Sequence, residues 1–141
     1  MIKATNLKCE YLADPLGIDI TAPRLFWNAE GAEKQSAYRV VAYTDGATMW
    51  DSGKVVTSKM NTQFPVPFSA RQRVTYTVTL WDGEDREGEP AGGCFEIGLL
   101  KAADWKAKWI SGDYKPKRKT RYPVDCFSKK FTAKKIVKAR L

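Results

Sequence analysis

"VTYTVTLW", residues 74–81, sets Val74, Tyr76, Val78 and Leu80 on one side of an extended chain and Thr75, Thr77 and Thr79 on the other. Strict alternation of large apolar and β-branched polar residues has a period of two, which a helix cannot use and a half-buried strand requires. The stretch predicts a strand with one face in a core, and similar but weaker patterns recur on either side of it. "AYRVVAYT" (37–44) is rich in β-branched and aromatic residues, and "RLFWNA" (24–29) puts Leu25 and Trp27 on a common face. Weaker strand candidates are 3–9, 49–56, 63–68 and 92–98.

Pro15-Leu16-Gly17, Asp45-Gly46, Ser52-Gly53, Asp82-Gly83 and Gly92-Gly93 separate these segments as turns or bulges. No stretch before residue 100 joins helical periodicity to a cap. About seven short strands in about one hundred residues is the arithmetic of a fibronectin type III or immunoglobulin-like β-sandwich, an all-β fold. Trp27 and Tyr76 supply the bulk that such a core needs, and Tyr76 is a candidate tyrosine corner.

The chain of 141 residues carries 24 Lys+Arg against 16 Asp+Glu, but the surplus is unevenly placed. Residues 1–100 hold 10 basic and 13 acidic side chains, a net −3, whereas residues 101–141 hold 14 and 3, a net +11. Such a break predicts two units, 1–100 and 101–141. "KAADWKAKWI" (101–110) opens the second with two tryptophans four apart, Trp105 and Trp109. Two strand-like pieces, "CFSKKFTA" (126–133) and "KIVKARL" (135–141), close it on an apolar residue, so the second unit is expected to be a truncated β-domain.

Composition also excludes chemistry. Histidine is absent, so a Ser-His-Asp triad cannot form and the usual nitrogen ligand of zinc is missing. Cys9, Cys94 and Cys126 are odd in number and lack C-x-x-C spacing, which fits free thiols in a reducing, cytoplasmic setting. No apolar run approaches the roughly 20 residues of a membrane helix, and the first dozen residues lack a signal-peptide centre. No catalytic residue, cofactor or metal is assigned.

Four stretches invite sharper readings. "MWDSGKV" (49–55) and "LWDG" (80–83) place Trp50 and Trp81 beside aspartate turns, and both rings are candidate sugar-stacking surfaces. The same residues read more simply as core lids at strand corners. "DGEDREGEP" (82–90) holds five carboxylates, but Glu84 and Arg86 fall where a calcium loop needs short oxygen donors, leaving a solvated hairpin loop. "KPKRKTR" (115–121) has five basic residues in seven, yet no nucleic-acid-binding motif accompanies it, and an interdomain loop is the expectation.

"CEYLADPLGIDITAPRLFWNAE" (9–30), "QSAYRVVAYTDGATMWDSGKV" (35–55), "VTYTVTLWDGEDREGEPAGGCFEIGLL" (74–100) and "DWKAKWI" (104–110), in this order, resemble the amino-terminal region of bacterial α-L-rhamnosidases. The resemblance implies a fibronectin-type or immunoglobulin-like module over 1 to about 100, followed by the start of a jelly-roll-type β-domain. It implies an (α/α)6 catalytic barrel downstream whose acid and base invert a terminal α-L-rhamnoside. Inversion needs two carboxyl groups about 6.5–9.5 Å apart, and no residue here matches the family's catalytic motif. The resemblance therefore implies a non-catalytic, inactive module that buttresses the downstream catalytic and β-domains of a parent chain. A homo-oligomer formed through the tail, and a stand-alone carbohydrate- or protein-binding module, are the other expectations.

Overall fold

The computed structural model describes residues 1–115, 117, 119 and 121–135, and divides the chain into two units, Met1–Lys106 and Ala107–Leu141. The first holds eight strands: β1 (Lys3–Cys9), β2 (Arg24–Glu30), β3 (Gln35–Thr44), β4 (Ala47–Asp51), β5 (Val55–Val56), β6 (Asn61–Gln63), β7 (Arg73–Asp82) and β8 (Ala91–Glu96). One antiparallel sheet runs β1-β2-β6; the other runs β4-β3-β7-β8, with β5 also paired to β3. This is a β-sandwich of the fibronectin type III and immunoglobulin-like class.

The decisive stretch behaves as its alternation demands. Val74, Tyr76, Val78 and Leu80 are buried, while the threonines between them face outward. The opposite sheet answers with Ile2, Ala4, Cys9, Leu25 and Trp27. Phe64 joins the two at one end, with its ring 5.0 Å from Phe68 and 5.6 Å from Phe95. Tilted aromatic contacts of this kind add about 0.5–1.5 kcal/mol each beyond the area they bury. The Tyr76 ring is buried, and an added Cβ at Gly93 would lie 2.6 Å from its hydroxyl, so the glycine there makes room for the tyrosine.

Two expected strands shift for identifiable reasons. The 49–56 candidate splits into β4 and β5 at the Asp51-Ser52-Gly53 corner, where Gly53 has φ +60°. The 63–68 candidate forms only over Asn61–Gln63, because Pro65 and Pro67 have no backbone N–H to give a ladder. Phe64 and Phe68 enter the core from irregular backbone instead.

The outer edge of β8 is capped by the loop before β2. Asp14 Oδ1 accepts the Cys94 N–H at 2.8 Å, Pro15 O accepts the Glu96 N–H at 2.9 Å, and Gly17 and Ile18 donate to Glu96 O at 3.0 Å. Such cover removes an open strand edge that would invite pairing with another chain. Past β8, a 3-10 turn over Ala102–Asp104 is held by Arg71, whose guanidinium donates to Asp104 O at 3.2 Å.

Residues 126–133 form no strand, and Phe127 and Phe131 are exposed, because no neighbouring strand among the described residues accepts their backbone groups. Most of the 135–141 candidate lies outside the described residues. Among the described residues of the second unit, Tyr114 and Tyr122 stack at 4.8 Å, and Asp125 Oδ2 accepts from Tyr114 Oη at 3.1 Å and from Gly112 N at 3.2 Å.

Candidate functional site

The Trp50 corner is built by its neighbours in sequence. Asp51 Oδ1 accepts the Gly53 N–H at 2.9 Å, Ser52 Oγ accepts the Val40 N–H at 2.8 Å, and Ser52 N donates to Val40 O at 2.9 Å. Arg39, across the strand pair, donates to both Asp51 oxygens, and this hydrogen bonding lowers the carboxyl to about 2. Trp50 itself is half-buried, with its ring edge-on to Phe64 at 5.2 Å.

Trp81 sits on the other face of the same sheet, since its neighbour Leu80 points into the core. It is 8% exposed and the Lys54 ammonium lies 4.7 Å from its ring centre, held there by Asp85 at 2.5 Å. The two tryptophans thus face opposite ways and do not form one platform. The aspartate after Trp81 organises a loop: Asp82 Oδ1 accepts from Glu84 N at 2.9 Å and Arg86 N at 3.0 Å, and Oδ2 from Arg86 Nε at 2.8 Å. That guanidinium keeps the Asp82 carboxyl below its ordinary range. A recess of about 270 Å³ beside this loop is lined by Glu33, Lys34, Asp82, Gly83, Glu84 and Arg86 among others. No group of three metal-binding side chains occurs among the described residues.

Trp105 and Trp109 are 56% and 94% exposed, and each belongs to a different unit. The Cys9 thiol is pushed up to about 12, chiefly by burial and secondarily by Glu10; a thiol so held is a packing group, not a nucleophile.

Sequence reasoning missed an aromatic cluster on the outer face of the three-stranded sheet. Cys9 and Leu12 exchange both backbone hydrogen bonds, at 2.9 and 3.0 Å, closing a two-residue turn on Glu10 and Tyr11. Both central residues are left-handed, with φ of 47° and 67°. Turns of this kind ordinarily take Asn-Gly, and a left-handed side-chain-bearing residue costs roughly 1–2 kcal/mol. The offset comes from Arg24: Glu10 Oε1 accepts its backbone N–H at 2.6 Å and Oε2 its Nη2 at 2.7 Å. That hydrogen bonding holds the Glu10 carboxyl below its usual value against the opposing pull of burial.

The strained turn lays Tyr11 flat on Phe26, with ring centres 4.5 Å apart and planes 22° from parallel. The Arg24 guanidinium lies 5.5 Å from one ring centre and 5.8 Å from the other, hence beside the stack and not on top of it. Tyr11 remains 61% exposed. Around Phe26 the outward positions are polar: Lys8 and Asn61 are its cross-strand partners, and Gln63 is opposite Arg24. A Glu-Tyr pair is no turn signal, so only the residue pairing of the folded sheet exposes this arrangement.

The family described as Rha78A-like, N-terminal immunoglobulin domain, matches residues 4–101. This chain belongs to that family. An α-L-rhamnosidase of Streptomyces avermitilis is 36% identical over an alignment of 121 positions that covers 78% of this chain and 12% of that protein. A second α-L-rhamnosidase, of Formosa agariphila, is 34% identical across 72% of this chain and 12% of its own length. The chain therefore spans about an eighth of the curated relatives it matches. Among solved structures, the Streptomyces avermitilis α-L-rhamnosidase complexed with L-rhamnose superposes with a TM-score of 0.71 at 34% identity, over 79% of this chain and 12% of that one. The Dictyoglumus thermophilum enzyme gives 0.69 at 32% identity, over 77% and 14%.

Proposed function

We propose that this chain is the non-catalytic amino-terminal module of an α-L-rhamnosidase whose catalytic domain lies elsewhere in the parent polypeptide. The observation that carries the reading is coverage: the chain aligns along most of its own length with about an eighth of enzymes called α-L-rhamnosidases. The site chemistry agrees. Glu10, Asp51 and Asp82 all have carboxyls displaced downward by arginine partners, whereas a glycosidase acid needs a carboxyl raised into its working range.

In this reading residues 1–100 form the module and 101–141 begin the next β-domain. The module buttresses the downstream domains of the parent. Arg71 supports that role by fixing the exit segment at Asp104 to the sandwich. No helix among the described residues is long and apolar enough to cross a membrane, and we place the parent in the cytoplasm. Taken alone, the chain exposes Trp109, Phe127 and Phe131, and we expect copies to associate through this tail.

The test is deletion of residues 1–100 from the parent enzyme. A buttress predicts a shortened half-life on heating, with the hydrolysis of an aryl α-L-rhamnoside retained before inactivation. Immediate and complete loss of hydrolysis in a stably folded deletion protein would mean that the module contributes to the chemistry, and would overturn the reading.

A further inference from the structure

We propose that the outer face of the β1-β2-β6 sheet carries a saccharide-stacking site centred on Tyr11, backed by Phe26. One face of the Tyr11 ring is taken by Phe26 and Arg24 lies to the side, so the other face is open to solvent. An open aromatic face suits the apolar C–H face of a pyranose ring. The groups around it suit the sugar's hydroxyls. Arg24 uses Nε and Nη2 on Glu10, leaving Nη1 to donate. Gln63 uses Nε2 on Ala22 O at 3.0 Å, leaving its Oε1 to accept. Asn61 is exposed beside Phe26.

Two features favour a sugar over a protein partner. The island is two rings wide and one ring is partly covered, whereas a stable protein interface takes about 800 Å² from each side. Amides and charges, Arg24, Lys8, Asn61 and Gln63, occupy the positions around the aromatic pair, a composition unlike the centre of a protein hot spot. The second feature is backbone strain. Two consecutive left-handed residues, gripped by a carboxylate–arginine clamp, hold the ring in place before any ligand arrives. Strain held by its surroundings is characteristic of binding sites, and a preorganised ring spares a weak ligand the cost of ordering it.

The choice of sugar rests on the rhamnosidase reading above, and the test keeps the two separable. The full chain would be titrated with methyl α-L-rhamnopyranoside and followed by saturation-transfer NMR and by protein chemical shifts. We expect saturable binding, with a dissociation constant on the order of millimolar, and shifts confined to residues around Tyr11, Phe26 and Asn61. Tyr11→Asn deletes the ring with a residue that tolerates the left-handed turn, so the fold should persist while binding weakens at least tenfold. Trp50→Phe should leave binding unchanged. Absence of saturable binding up to about 100 mM, or equal binding by Tyr11→Asn, would overturn the site. So would a Tyr11-dependent dimer in light scattering, which would make this a protein contact. Failure of the parent enzyme to hydrolyse rhamnosides would sink the functional reading alone.

Discussion

Gln35 offers the sharpest test of how the sandwich is locked. It is 2% exposed, and its Oε1 accepts the indole N–H of Trp27 at 2.9 Å while Nε2 donates to Lys59 O at 2.9 Å and Thr57 O at 3.2 Å. One side chain therefore ties the central strand of the smaller sheet to the irregular segment that leads into β6. In Gln35→Ala, the Thr57 and Lys59 carbonyls lie in half-buried and exposed surroundings and can turn to water. The Trp27 indole cannot, because it is 3% exposed. Stranding that donor costs about 1–3 kcal/mol, and the lost packing adds roughly another 1–2 kcal/mol. The expected total of about 2–5 kcal/mol would be read by urea unfolding, with the m-value unchanged. Gln35→Leu in a Trp27→Phe background removes donor and acceptor together and should restore part of the loss. A cost below about 0.5 kcal/mol for Gln35→Ala would refute the reasoning, since it would place the site among ordinary surface changes.

Asp51, held at about 2 by Arg39 and the Gly53 amide, adds stability that is present above its ordinary pKa near 3.8 and is lost as pH falls through 2. Asp51→Asn should therefore be less stable than the wild type at neutral pH, with the gap closing between pH 4 and pH 2 in acid titrations of the unfolding midpoint. Gly93→Ala would put a Cβ 2.6 Å from the Tyr76 hydroxyl, and should cost about 1–3 kcal/mol by denaturant unfolding, less in a Tyr76→Phe background. A chain ending at Leu100 loses the exposed aromatic residues of the tail and should scatter light as a smaller species than the full chain at matched concentration and salt; equal association states would contradict tail-driven assembly.

What could be read from the sequence followed the range of the cause. Val74, Tyr76, Val78 and Leu80 announce themselves because a strand's burial has period two, and Trp27 does so through its alternation with Leu25. The Asp51-Ser52-Gly53 corner was legible because its bonds are made within a few residues or to the neighbouring strand. β6 was misplaced because Phe64 and Phe68 look like strand residues while the prolines between them govern the backbone. Strand texture at 126–133 misled in another way, since propensity forms no strand without a partner edge. The Tyr11 cluster was hidden most deeply. Its turn residues have no local reason to be left-handed, and the reason lies at Arg24, on a strand 14 residues from Glu10.

The central claim, a non-catalytic module of a rhamnosidase, is tested most directly by measuring aglycone release from an aryl α-L-rhamnoside by the 141-residue chain and by its parent protein in parallel. The account predicts turnover by the parent and, from the chain, release no faster than from a heat-treated control. Turnover by the isolated chain, or none by a folded parent, would contradict it.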